Sequence, residues 1–397
     1  MHVDIIESYD AFAALQENWN DLYSKDPQAQ FFLSWLWLSQ VFKMNPHRWI
    51  VLAVKQDHAD AVCIGFFPLW LKTVWSKSQR QFRNEIHLAG PLPWGYRTGF
   101  VCHPDWEEPI IVSFADKLRD MYWSRISLKY LCVSDRRLDL FLDHFPSSTF
   151  RSSSHKLMIN EGTTDFLVCP YVELPDDYET YLKKHLSSNA RSNIRRFMRR
   201  FENSEDLRIS TVSAHTLQRD LDILVELWTK TWLESKGDKT KSMARKYRKI
   251  LQQGFECDML YMLVLWSGDT PLGALASFVD WQKSSLHCFV SARDESRPVP
   301  LIGWVLHAHN IRWAIDNGIK IYDFGQGNQS YKYAYAAKDQ SIKYLVVSTR
   351  SGVNLNGMLE PSRIDEVMVE TVSFLEKGLT EEAKIACEQV LMTLKAK

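Results

Sequence analysis

Between Gly318 and Val347 the chain has few conformations open to it. Residues 319–324, Ile-Lys-Ile-Tyr-Asp-Phe, are apolar and β-prone enough for a short strand, and Gly325, Gly327 and Asn328 come directly after it. Gly and Asn accept the positive φ that other residues resist, so the strand must end there in a tight turn. Upstream, residues 301–317 read as a helix that stops at Gly318, the residue type that closes a helix in the left-handed region. Downstream come Tyr331-Lys332-Tyr333 and a second β-rich run from 342 to 349. Asp323 at a strand end, a glycine turn with free amides, and Lys332 among aromatic rings make a candidate anion site, since lysine brings a mobile point charge and turn amides bring donors.

The rest of the chain frames this stretch. At 397 residues it exceeds what one core serves, so two domains are expected. Lys+Arg and Asp+Glu are 48 each, which leaves no global charge to drive binding to nucleic acid or membrane. Seven cysteines are scattered with no Cys-x-x-Cys, which fits free thiols in a reducing compartment. The N-terminus, Met-His-Val-Asp-Ile-Ile-Glu, lacks a basic region followed by an apolar one, and no apolar run approaches the roughly 20 residues of a membrane helix. A cytoplasmic location is the expectation.

Two strand–turn–strand units stand about half a chain apart, at 49–71 and 261–280. Each carries an apolar residue followed by glycine at the start of its second strand, Ile64-Gly65 and Leu272-Gly273, which suggests an internal duplication. A polar, Ser-rich stretch at 151–164 marks a boundary, giving domains 1–160 and 161–397, the second with two terminal helices. Residues 341–349 are expected to complete the second sheet. Residues 88–100 hold three Gly and two Pro, and this loop would present Trp94, Tyr96 and Arg97 to a substrate. A long helix over 176–201 places Arg191 and Arg195 on one face, with Arg196 in a second basic row beside it. Basic charge this one-signed is self-repelling unless an anion lies near.

The string Ile-Tyr-Asp-Phe-Gly-Gln-Gly-Asn-Gln-Ser-Tyr-Lys-Tyr-Ala-Tyr-Ala, following a helix that ends Trp-Ala-Ile-Asp-Asn-Gly-Ile, resembles the C-terminal signature of the CelD-like, FemAB-related branch of the GNAT acyltransferase superfamily. The resemblance covers residues 166–350 well and 1–165 in outline. It implies an α/β fold of two GNAT-like domains, each a mixed twisted sheet flanked by helices. It also implies a sheet that splits between its fourth and fifth strands, where an acyl-CoA donor would enter. On this pattern the strand at 285–291 is the fourth, and Arg293, Arg297 and Gly303 stand where the donor's pyrophosphate would be held. The usual Arg/Gln-x-x-Gly-x-Gly/Ala loop of GNAT acetyltransferases is absent. Arg191, Arg195 and Arg196 would border the cleft and meet phosphates.

Acyl transfer needs an acceptor, help in removing its proton, and donors for the developing oxyanion. His287 and Asp323 are candidate bases, Tyr331 or Tyr335 a candidate acid, and Lys332 a candidate for stabilising negative charge. His307 and His309 lie two apart and so point to different faces of their helix, which argues against a metal pair. No His-Glu-x-x-His, Gly-x-Ser-x-Gly or Walker A run occurs. The resulting expectation is transfer of an acyl group from acyl-CoA to an amine or hydroxyl of a small molecule or sugar, in exopolysaccharide or cell-envelope synthesis by resemblance. The alternatives are FemAB-type aminoacyl transfer from a charged tRNA, and a non-catalytic ligand-binding accessory module.

Overall fold

The computed structural model describes residues 1–57, 62–89, 95–296 and 301–395. The chain forms two units, Met1–Leu157 with Ile342–Lys397, and Met158–Ser341. Each is built on a mixed sheet flanked by helices.

In the Met158–Ser341 unit the sheet runs Leu207–Thr211, Leu260–Ser267, Thr270–Asp280, Ser285–Arg293, Ile321–Asp323, Val168–Glu173, Lys338–Ser341. All neighbours are antiparallel except Ser285–Arg293 with Ile321–Asp323, which pair in parallel. A parallel pair needs a crossover, and the helix Leu301–Asp316 supplies it. That helix is apolar nearly all round, because Ile302, Val305, Ala308, Ile311 and Ala314 are buried in the unit's core. Gly318 ends it at φ 74°, where the amide of Ile319 returns to the carbonyl of Ala314 at 2.9 Å. Helix Ser188–Glu202 packs against it through Phe197 on Trp304, with ring centroids 5.7 Å apart. It is shorter than the 176–201 helix expected; a short turn at 178–185 and a break at Leu186 precede its Ser187 cap.

The other unit repeats this plan. Its sheet runs His2–Ile6, Trp49–Lys55, Cys63–Ser76, Gln81–Leu88, Arg125–Leu131, Lys343–Thr349, Phe150–Ser154, and its parallel pair is Gln81–Leu88 with Arg125–Leu131. The crossover is the helix Glu107–Arg119. The hairpins at 49–71 and 261–280 therefore hold the same second and third places in their sheets. Gly65 and Gly273 share a physical cause. A Cβ on Gly65 would collide with Ile110 of its crossover helix, and one on Gly273 with Ile302 of the other. Glycine lets the helix come down onto the strand in both units.

The expected boundary needs one correction. Residues 338–341, not 342–349, complete the second sheet, by pairing with Val168–Glu173. Lys343–Thr349 lies in the first sheet between Arg125–Leu131 and Phe150–Ser154, with Val347 fully buried in that core. The two terminal helices, Ile364–Glu376 and Thr380–Lys395, belong to the same first unit, where Phe374, Ala386 and Val390 pack with Phe82 and Trp75. An apolar alternating run specifies a strand but not its partner, and strand pairing is a long-range choice.

Candidate active site

The parallel pair ends early. Ser285–Arg293 is matched with Ile321–Asp323 over three positions, from Ser285↔Ile321 to His287↔Asp323. Beyond that point the Ile321–Asp323 chain turns away through Gly325 and Gly327, at φ 73° and 94°. The longer strand continues alone on that side, and among the described residues no strand pairs with this edge past His287. A β-bulge sits at the split. Ala276 pairs with Val290 and Ser277 with Cys288, which leaves Phe289 as the extra residue. A bulge bends its strand and re-aims the residues C-terminal to it.

A cavity of about 500 Å³ opens beside this free edge. Its walls are Ser291, Ala292, Arg293 and Glu295 from the strand and its exit, Ala274 and Leu275 from the neighbouring strand, Thr231 and Trp232 from the helix Leu217–Lys236, and Tyr331 and Tyr335 from beyond the glycine turn. The crossover helix adds Ile302, Gly303, Trp304, Leu306 and His307. Its first turn thus lies in the wall, and first-turn amides have no partner within a helix. A Cβ on Gly303 would touch nothing within 4 Å, so this glycine leaves space rather than relieving a clash.

The sequence-predicted residues divide clearly. Arg293, Gly303 and Tyr331 line the cavity, and Arg293 is paired at the rim with Glu295 at 3.1 Å. Tyr335 also lines it, but its hydroxyl donates to the carbonyl of Trp304 at 3.2 Å. Asp323 and His287 come together away from the wall. His287 Nδ1 meets Asp323 Oδ2 at 3.1 Å, Ser285 Oγ meets His287 Nε2 at 2.8 Å, and Asp323 Oδ1 accepts the amide of Gly325 at 2.8 Å. All three side chains are buried, and none lines the cavity. The trio fastens the parallel pair to the start of the glycine turn.

Lys332 departs most from expectation. It is 2% exposed, and its ammonium donates to the carbonyls of Gly325, Gln326 and Gly327 at 3.0, 2.9 and 2.8 Å. An ammonium has three protons, and all three are engaged. Burial lowers its pKa to about 8, against the pull of nearby Asp323, so it is mainly charged at neutral pH. Lys332 is the hub of the turn and is not aimed into the opening.

The basic helix also faces elsewhere. Arg191 donates to the carbonyl of Lys183 at 3.2 Å, Arg195 pairs with Glu179 at 2.9 Å, and Arg196 donates to Asn193 at 3.0 Å; none lines the cavity. Tyr96 is buried against Phe32 with centroids 4.6 Å apart, and Arg97 is buried at φ 57°, so both are built into the first unit's interior. Trp94 and Arg297 lie outside the described residues. Sequence reasoning missed Glu295 and His307 as wall residues. A carboxylate in a charged loop and a histidine inside an apolar helix carry no local signal of a cavity.

Residues 188–333 match the family model of the GNAT acetyltransferase domain. By that match this stretch is the GNAT-like part of the chain. The parallel pair, the bulge and the crossover helix at the cavity all fall within it. The whole chain is similar in fold to the crystal structure of FemX, at a TM-score of 0.58 and 11% identity over 87% of this chain and 97% of that one. It is also similar to a conserved protein of unknown function from Bacteroides thetaiotaomicron, at a TM-score of 0.52 and 12% identity over 88% and 99%. No curated protein matches the chain in sequence. The likeness in fold to FemX extends across both units, in keeping with the repeated sheet plan.

Proposed function

We propose that the GNAT domain transfers an acyl group from an acyl-CoA to an amine or hydroxyl of a small-molecule or sugar acceptor. One observation carries this reading: at the sheet's split, a strand edge that no described strand pairs with beyond His287 lies beside a cavity of ligand size. An extended amide-bearing chain, such as the pantetheine arm of CoA, satisfies such an edge as an added strand would. The helix start at Gly303 and the guanidinium of Arg293 suit the donor's phosphates. The acceptor's nitrogen or oxygen then bonds to the acyl carbon as the carbon–sulfur bond breaks. Solvent takes the acceptor's proton, and Tyr331 gives one to the departing thiolate and regains it from solvent. In this scheme Lys332, Asp323 and His287 position the turn and the strand pair. The resemblance to the FemAB-related branch is the ground for placing the reaction in the cytoplasm and in cell-envelope or exopolysaccharide synthesis. Among the described residues no helix is long and apolar enough to cross a membrane.

The test is calorimetric titration with acetyl-CoA and longer acyl-CoAs. Saturable binding is expected, reduced at least about tenfold in Ala292→Trp, where an indole fills the cavity. A folded wild type that binds no acyl-CoA refutes the reading, and binding without turnover on any amine or sugar favours an accessory module. The fold likeness to FemX keeps aminoacyl-tRNA as a second donor. Its signature is tRNA binding that weakens with salt and is lost when Arg191, Arg195 and Arg196 are replaced by serine.

A further inference from the structure

Behind the cavity wall lies a polar cluster inside the apolar core. Tyr322, fully buried, has three hydrogen-bond partners. Its hydroxyl lies 2.8 Å from His307 Nδ1, 3.0 Å from Cys288 Sγ and 3.4 Å from Asn310 Nδ2. Asn310 Nδ2 also donates to Ser277 Oγ at 2.9 Å, and Asn310 Oδ1 is buried with no hydrogen-bond partner among the described residues. A phenol has one proton to give. The amide nitrogen of Asn310 only donates, and the Cys288 thiol, kept protonated because burial pushes its pKa up to about 12, donates to the phenol oxygen. The imidazole nitrogen is the one strong acceptor in reach, and it makes the shortest contact. The hydroxyl proton therefore goes to His307 Nδ1, and the ring's own proton must sit on Nε2. Burial, with the charge of Lys332 nearby, lowers the pKa of His307 to about 3, so the ring is neutral. Among the described residues nothing else hydrogen-bonds to this ring, and His307 is one of the residues that line the cavity.

We propose that His307 is a hydrogen-bond donor to the acyl carbonyl oxygen of the bound ligand, acting through Nε2–H, and that Tyr322 is the positioning residue that sets its tautomer. This rests on the acyl-CoA reading of the cavity. A neutral donor held in the wall meets the carbonyl oxygen in the ground state and holds it more strongly as negative charge grows there on attack. No proton is transferred, and the imidazole ends as it began. His307 thus joins the ligand-touching residues, and the Tyr322 cluster explains why polar groups are retained inside this core.

Two measurements test the proposal. The first is the ¹⁵N spectrum of histidine-labelled protein without ligand, with the His307 signals assigned by their loss in His307→Gln. The Nε2–H neutral form is expected at pH 7 in the wild type, and a tautomer mixture in Tyr322→Phe. An Nδ1–H or protonated ring in the wild type overturns the network. The second compares acetyl-CoA with S-ethyl-CoA, a thioether that lacks the carbonyl oxygen. The wild type should prefer acetyl-CoA by about three- to tenfold, the scale of one net hydrogen bond. His307→Phe should lose that preference while keeping its affinity for S-ethyl-CoA, and His307→Gln, which restores an N–H donor, should regain part of it. An unchanged preference in His307→Phe overturns the donor role alone. Failure of the wild type to bind either ligand overturns the acyl-CoA reading with it, whereas the tautomer result stands by itself.

Discussion

Replacing Lys332 by Met keeps the length and apolar bulk of the side chain and removes its three donors. The carbonyls of Gly325, Gln326 and Gly327 then lose the partner that holds them at 2.8–3.0 Å. Each buried acceptor left unsatisfied costs about 1–3 kcal/mol. Some of this is offset, because the folded state no longer buries a charge that burial alone disfavours. Three such acceptors, less that offset, put the expected Lys332→Met loss at about 3–5 kcal/mol. For a unit of this size 1 kcal/mol moves the melting point by roughly 2–4 °C, so the GNAT domain should melt about 6–20 °C lower. Lys332→Arg should also destabilise, since a planar guanidinium cannot place three donors around one point. The assay is scanning calorimetry with circular dichroism as a check on the native fold. A Lys332→Met protein that melts within about 2 °C of wild type, yet has lost acyl-CoA affinity, would refute this reasoning and return the ammonium to the ligand.

The geometry sets three further outcomes. Gly65→Ala and Gly273→Ala should each destabilise their own unit by about 1–3 kcal/mol, the usual range for overpacking, as read by denaturant melts; a neutral result at either refutes the close approach of its crossover helix. Gly303→Ala has open space around it and should leave the melt unchanged or slightly raised, while calorimetry shows weaker acyl-CoA binding as the methyl enters the cavity. Burial opposes ionisation of Glu85, but His87, Arg83 and Arg125 outweigh it and lower its pKa from 4.5 to about 2. The folded state therefore binds this proton less readily than the unfolded chain, so the contribution is complete above pH 4.5 and is lost as pH falls towards 2. It amounts to roughly 3 kcal/mol. Glu85→Gln should flatten the acid limb of the first unit's melting curve, and an unchanged limb refutes the assignment.

The features legible in the sequence were local. Gly318 as a helix stop, Gly325 and Gly327 as a turn, and the matched glycines at 65 and 273 each reflect backbone freedom or close approach at one position. The crossover helix and the short strand after it announced themselves by apolar spacing. The strand Gln81–Leu88 did not, because it buries Asn84 and Glu85 and so breaks the apolar alternation by which strands are recognised. Lys332 was recognisable as important but not as a brace, since its partners are main-chain carbonyls whose direction depends on the turn's φ values. His307 finds Tyr322 fifteen residues along, on another element, and only the packing of helix on sheet joins them.

One residue, Ile342, separates a strand of the second sheet from a strand of the first. This bears on the order of events as the chain is made. The GNAT domain is synthesised whole by Ser341, and every described strand of its sheet is then available to fold together. The first unit, begun earlier, must wait. Among the described residues Phe150–Ser154 pairs with Lys343–Thr349 and with no other strand, so the edge of that sheet has nothing to lie against until the ribosome has passed residue 349. Domains tend to fold as units during synthesis, which makes the half of the chain translated second the half that is finished first. A chain cut after Ser341 would carry every wall residue of the cavity described above, and a companion domain with an open seam.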